Sequence, residues 1–239
     1  MSIMKREPVI AAALLAALAA VNYSQMRFLP MAAEYRDLLQ LRRLAYAGEP
    51  LLAPAVDDAL RRSDAIVASC NHDGITALVD LLTWQADKIT PSENREAWLE
   101  KLRRIDDVSV KGLQCEPTNG FFWARLAFAR WFLGHPATEQ AMLLGYSQSY
   151  APAEMPSLIA RMTQWKRVSS AVRDLAHDHI EADIRTILNY APPRDAFAQL
   201  SDLPPALADM LKTQLPLVSP ERLEALLKVS GADKIFTAE

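Results

Sequence analysis

The run His177-Asp178-His179-Ile180-Glu181-Ala182-Asp183 holds two of the four histidines in the chain and interleaves them with carboxylates. These are the residue types that bind divalent metals or move protons. On a helix His177 pairs with Glu181 and His179 with Asp183 at four-residue spacing, but the two pairs lie about 200° apart around the axis. They cannot chelate one ion together unless another helix contributes, and a zinc protease needs two His on one face with a Glu between them. The run therefore reads as solvated side-chain pairs on an exposed face. His72 and His135 fall in turn sequences and suit capping. No G-x-S-x-G, P-loop, G-x-G-x-x-G or H-E-x-x-H spacing occurs. The expectation is a non-enzymatic protein with no catalytic, cofactor-binding or metal site. Its alternative is an exported hydrolase or metal-dependent enzyme centred near His177 to Asp183, with His135 lining the cleft.

Recognition has two groups of candidates. Arg161, Lys166, Arg167 and Arg173 form the densest basic cluster, suited to an acidic partner or an anionic polysaccharide, although Glu154, Asp174 and Glu181 neighbour it. Phe121, Phe122, Trp123, Phe128, Trp131 and Phe132 recur at helical spacing, so most must be core. Phe122 and Trp131 are expected nearest a partner. The net charge of −3 argues against a general nucleic-acid role. Cys70 and Cys115 are the two cysteines. Neither has C-x-x-C or His-ligand spacing, and each falls near a helix end, so they are candidates for a disulfide in an oxidising compartment or else two buried small hydrophobes.

The N-terminus bears on compartment. Lys5-Arg6 precedes an uncharged apolar run from Pro8 to Val21, followed by Asn22. Two readings fit. One is a cleaved signal peptide with a small-residue site at Ala17-Leu18-Ala19. The other is an uncleaved anchor that continues through Tyr23 to Phe28 and Leu29, closed by Arg27. An amphipathic helix with Leu38, Leu39, Leu41 and Leu44 follows at once and favours the anchor. The positive-inside rule then places the body in the periplasm of a bacterial envelope, single-pass on the inner membrane.

Only seven glycines and no period-two alternation occur, so the chain reads as all-α. Pro, Gly and capping residues cut it into helices: a juxtamembrane helix ended by Gly48-Glu49-Pro50, Pro54 to about Ser69, a turn at Asn71 to Gly74, and Ile75 to about Lys88. A helix capped by Ser92 follows, then Phe121 to Leu133, and Ala137 to Tyr150. The apolar stripe from Leu158 to Leu188 reads as one long helix or two with a kink near Ser169-Ser170. Beyond it come Asp195 to Leu200, Pro204-Pro205 to Gln214, a Ser219-capped helix starting at Pro220, and a frayed tail.

Pro117, Trp123, Leu126, Gly134, Ala141, Tyr146 and Pro152 resemble one tetratricopeptide-type helix hairpin, whose repeat is about 34 residues. Trp123 to Leu126 and Trp123 to Gly134 fall at the family spacing. Ala127 stands where the pattern has Gly, Ala141 lies two residues late, and Pro117 to Pro152 is one residue long. A fainter copy lies upstream, with the Ala97-Trp98 helix as its second half. The resemblance implies stacked antiparallel hairpins in a right-handed superhelix, used to hold other chains. The expected layout is an anchor at 1–29, a juxtamembrane helix at 30–50, tetratricopeptide-like hairpins at 51–152, a C-terminal helical region at 153–231 and a frayed tail at 232–239. By analogy of architecture and compartment, the expected role is a membrane-tethered scaffold, an accessory to surface-polysaccharide synthesis and export or to an envelope complex. The partners implied are the membrane, an envelope protein and a second copy of the chain.

Overall fold

A computed structural model describes the backbone of residues 7–236 and the side chains of residues 13–23 and 35–236. Much of the anchor expected over 1–29, and the end of the tail at 237–239, lies outside these. Among the described residues every regular element is helical, fourteen α-helices and one 3-10 turn. Among them too, no helix is long and apolar enough to cross a membrane. The chain divides into two units, Met1–Leu81 and Leu82–Glu239.

In the first unit, α1 (Glu7–Tyr46) is one helix of 40 residues. The boundary expected near residue 30 is not a helix boundary. α1 instead ends at Gly48, whose φ of +72° a side chain would resist. α2 (Ala53–Leu60) and α3 (Ser63–Ala68) replace the single helix expected from Pro54 to Ser69, with a break at Arg61 and Arg62. α4 (His72–Asp87), which starts in this unit and runs past Leu81 into the second, begins inside the expected turn, because the Asn71 side chain accepts a hydrogen bond from the Gly74 amide at 2.7 Å and caps it. Tyr35 and Leu38 of α1 are buried, as are Val56, Ile66, Ile75 and Leu78. The Arg42 guanidinium donates to Asp80 at 2.8 Å, and the Tyr46 hydroxyl donates to the same carboxylate oxygen at 3.0 Å. Burial opposes the Arg42 charge, but Asp80 outweighs it and raises the Arg42 pKa. The earlier part of α1 differs sharply: Leu14, Leu15, Leu18, Val21 and Tyr23 are all exposed.

The second unit stacks helices in chain order. α5 (Arg95–Cys115) is capped by Asn94, which accepts from the Ala97 amide at 3.1 Å, so the cap lies two residues beyond the expected Ser92. α6 (Gly120–Leu133) starts on Asn119, whose side chain accepts from the Phe121 and Phe122 amides. It stops at Gly134, in the left-handed region at φ +86°. α7 (Ala137–Tyr150) returns against α6, and α8 (Met155–Trp165) packs on both. The stripe from Leu158 to Leu188 forms three helices, adding α9 (Ser170–Leu175) and α10 (His177–Tyr190). Ser169 caps α9 through the Val172 amide. α11 (Pro193–Leu200), α12 (Pro205–Gln214), the 3-10 turn Leu215–Leu217, α13 (Pro220–Leu227) and α14 (Asp233–Phe236) complete the unit. Ser219 caps α13 with Pro220 at its first position, as the sequence predicts. The tail is not frayed as far as α14, where Phe236 is buried.

Leu102, Ile105, Phe122, Leu126, Leu144, Leu158, Met162, Trp165, Ile180 and Ile184 form the core. The α6–α7 crossing depends on Gly120. A Cβ there would stand 2.3 Å from the Ala151 Cβ and 2.8 Å from the Ser147 carbonyl oxygen, and backbone cannot swing aside as a long side chain can. Gly120→Ala is expected to cost about 1–3 kcal/mol, the range for forced overpacking. Chemical denaturation of the variant against wild type measures it.

Candidate functional site

The largest concentration of polar contacts is buried. Arg161 on α8 and Asp183 on α10 both have fully buried side chains. The guanidinium donates Nε to Asp183 Oδ2 and Nη2 to Oδ1, each at 2.8 Å, a bidentate pairing. Trp165 Nε1 donates to Asp183 Oδ2 at 2.9 Å. Arg161 Nη1 reaches the carbonyls of Ser147 and Ala151 and the Ser147 hydroxyl, and that hydroxyl donates to the Gly120 carbonyl at 2.7 Å. The network joins α6, α7, α8 and α10. With both charges paired and sealed from water, it fixes helices and leaves no acid or base facing a substrate.

This corrects the basic-cluster expectation. Arg161 points inward and is unavailable to a partner, because its place between Leu158 and Trp165 on α8 puts it in the buried stripe. Arg173 is half-buried and donates to the Val168 carbonyl at 2.6 Å. Lys166 is half-buried, and burial lowers its pKa against the pull of Asp202. Only Arg167 of the four is fully exposed. The histidine run is dispersed as well. His177 lies beside Asp178 at 3.6 Å, His179 contacts Gln148 at 3.2 Å, and Asp183, expected to pair with His179 on an exposed face, is committed to Arg161. Among the described residues no three His, Cys, Asp or Glu side chains are grouped so as to hold a metal ion. Cys70 and Cys115 are both disulfide-bonded.

A second network, which the sequence reading missed, lies at the other end of the hairpin and is partly exposed. Arg130 donates Nε to Asp106 at 2.7 Å and Nη1 to Glu139 at 2.5 Å, while His135 Nδ1 meets the other Glu139 oxygen at 2.9 Å. Burial opposes the Arg130 charge, but Asp106 and Glu139 outweigh it and raise the Arg130 pKa. The His135 hydrogen bond lowers the Glu139 pKa most; burial opposes it, and Arg130 adds to the lowering. A carboxylate with a depressed folded-state pKa adds stability above its unfolded value of about 4.3 and loses it as pH falls through the folded value. Melting temperatures from pH 6 to 3 are expected to fall less steeply for Glu139→Gln than for wild type. Only Glu139 and His135 sit at helix spacing; Arg130 and Asp106 come from other helices, so only the His135–Glu139 pair had a local signal.

The aromatics divide between interior and surface. Phe122 is fully buried with its ring against Gly112, so it is core and not a partner contact. Trp131 is half-buried and stacks on Phe132, their rings 4.6 Å apart. Phe132 in turn meets Trp98 and Phe128 edge-on. Met142, Tyr146 and Tyr150 are exposed. They repeat at four-residue steps along α7 and so share one face. Trp123, anchored by its Nε1 donating to the Pro117 carbonyl at 2.8 Å, extends this row. Its ring lies 4.9 Å from Tyr146, which lies 6.4 Å from Tyr150.

These features define an all-α protein of stacked helices with a buried polar keystone and an exposed aromatic row. No family model, no curated protein and no solved structure matches the chain.

Proposed function

We propose that the protein is a non-enzymatic, membrane-tethered helical module of the cell envelope that holds a protein partner. The observation that carries this reading is the contrast within the first unit, where Tyr35 and Leu38 of α1 are buried but Leu14, Leu15, Leu18, Val21 and Tyr23 are exposed. Apolar residues left so consistently in water need a lipid or protein surface. The basic Lys5-Arg6 pair before them supports a cytoplasmic N-terminus, and a disulfide suits a body in an oxidising compartment. The hairpin α6–α7 carries the residues that resemble a tetratricopeptide repeat, and its row of Trp123, Met142, Tyr146 and Tyr150 is the surface offered to the partner. Aromatic and Met side chains are enriched in such surfaces.

Membrane fractionation of the full-length protein tests it. Wild type is expected to stay in the membrane pellet through an alkaline carbonate wash, whereas Leu15→Arg with Leu18→Arg moves most of it to the supernatant. In gentle detergent a stoichiometric companion is expected to co-purify with wild type, and to be lost from Tyr146→Ser with Tyr150→Ser. Wild-type protein found wholly in the soluble fraction would overturn the tether.

A further inference from the structure

A groove of about 860 Å³ opens between the start of α11 and the end of α13, within the size range of pockets that hold small ligands. Its walls are held in place. Pro192 and Pro193 fix two successive φ angles. Arg222 donates from α13 to the carbonyls of Leu188 and Ala191, which ties α13 to the end of α10. Gly231, left-handed at φ +82°, turns the chain close over the Phe197 ring.

The lining combines carbon with both signs of charge. Pro193, Phe197, Ala225 and Val229 give an apolar floor, and Arg194, Asp195 and Lys228 line the same space. Arg194 has no hydrogen-bond or ion-pair partner among the described residues. Lys228 pairs with Glu224 at 2.9 Å, an exposed contact four residues away on its own helix, and such pairs exchange readily because they contribute little. A simple anion in the groove would meet Asp195, and a simple cation would meet Arg194 and Lys228. A zwitterion satisfies all three: a phosphate accepts from Arg194 and Lys228, and an adjacent ammonium pairs with Asp195 and can lie over the Phe197 ring. The floor then takes the first carbons of a tail.

We propose that this groove binds the zwitterionic headgroup of an aminophospholipid, phosphate against Arg194 and Lys228 and amine against Asp195. The site goes beyond the tethering role and is independent of it, since its residues belong to the second unit and its test does not use membrane association.

Dibutanoyl phosphatidylethanolamine, soluble without a bilayer, is titrated by calorimetry into the full-length protein in non-ionic detergent. Saturable one-site binding is expected, weakened at least tenfold in Arg194→Glu with Lys228→Glu. Asp195→Asn is expected to weaken the ethanolamine lipid and to strengthen dibutanoyl phosphatidic acid, which lacks the amine. Ser230→Trp, which fills the groove without changing charge, is expected to abolish both. These four positions are exposed, and circular dichroism and the melting temperature check that each variant keeps the fold. Equal binding by wild type and the double charge variant overturns the site. An unchanged lipid preference in Asp195→Asn overturns the zwitterion, and binding of free phosphoethanolamine as tight as the lipid overturns the apolar component.

Discussion

Asp183→Ala is expected to lower the free energy of unfolding by about 3–5 kcal/mol, the range for breaking a buried ion pair from one side. The carboxylate neutralises a guanidinium that has no route to water and also accepts from Trp165 Nε1. Its removal strands a full charge and an indole N–H in the core, and Arg161 keeps only neutral acceptors, the Ser147 and Ala151 carbonyls and the Ser147 hydroxyl. Urea unfolding followed by circular dichroism measures the loss. Replacing both partners, Arg161→Met with Asp183→Leu, is expected to recover much of it, because no charge then remains to be desolvated. A loss below about 1 kcal/mol in Asp183→Ala would show that water reaches the pair, and the keystone reading would fail.

Removing the disulfide is the second large effect. Cys70→Ser with Cys115→Ser opens a loop of about 45 residues, for which the chain-entropy account gives about 4 kcal/mol, at the top of the about 2–4 kcal/mol typical of disulfides. Thiol reductant added to wild type should lower the melting temperature to that of the double variant and leave the double variant unchanged. Cys70 adds a local contribution. Its φ of +50° places a residue with a side chain in the left-handed region, which is disfavoured for anything but Gly, Asn or Asp. Cys70→Gly with Cys115→Ser is therefore expected to be more stable than the double serine variant, by up to about 1 kcal/mol. Reductant sensitivity absent from wild type would contradict the bonded cysteines.

How far each feature could be read from the chain follows the range of the interaction behind it. Helix starts and stops are local. Asn119 before Phe121, Gly134 after Leu133 and Ser219 with Pro220 act within four residues, and these boundaries were legible to within a residue or so. The misplaced ones had two valid local answers. Ser92 and Asn94 are both capping residues, and Asn94 alone is positioned to accept from the α5 backbone. The stripe breaks near Ser169-Ser170, as one of its two readings had it, with Ser169 capping α9; the second break, at Ala176, is one that periodicity does not register. Nor does periodicity register that α1 runs unbroken past residue 30.

Side-chain fate followed a different rule. The pattern along α8 marks Leu158, Met162 and Trp165 as inward, and Arg161 shares their face, yet an arginine in that place reads as surface until its partner is known. That partner is 22 residues away on another helix. Likewise Met142, Tyr146 and Tyr150 form a stripe fit for a core, and only the packing of α7 through its opposite faces leaves them exposed. Composition and local spacing thus determined by themselves that this chain is all-α, where most helices lie and which residues are apolar enough to need cover. The tertiary structure alone decided which charge is sealed inside and which aromatics stay out, because those outcomes depend on contacts between helices that the local pattern does not encode.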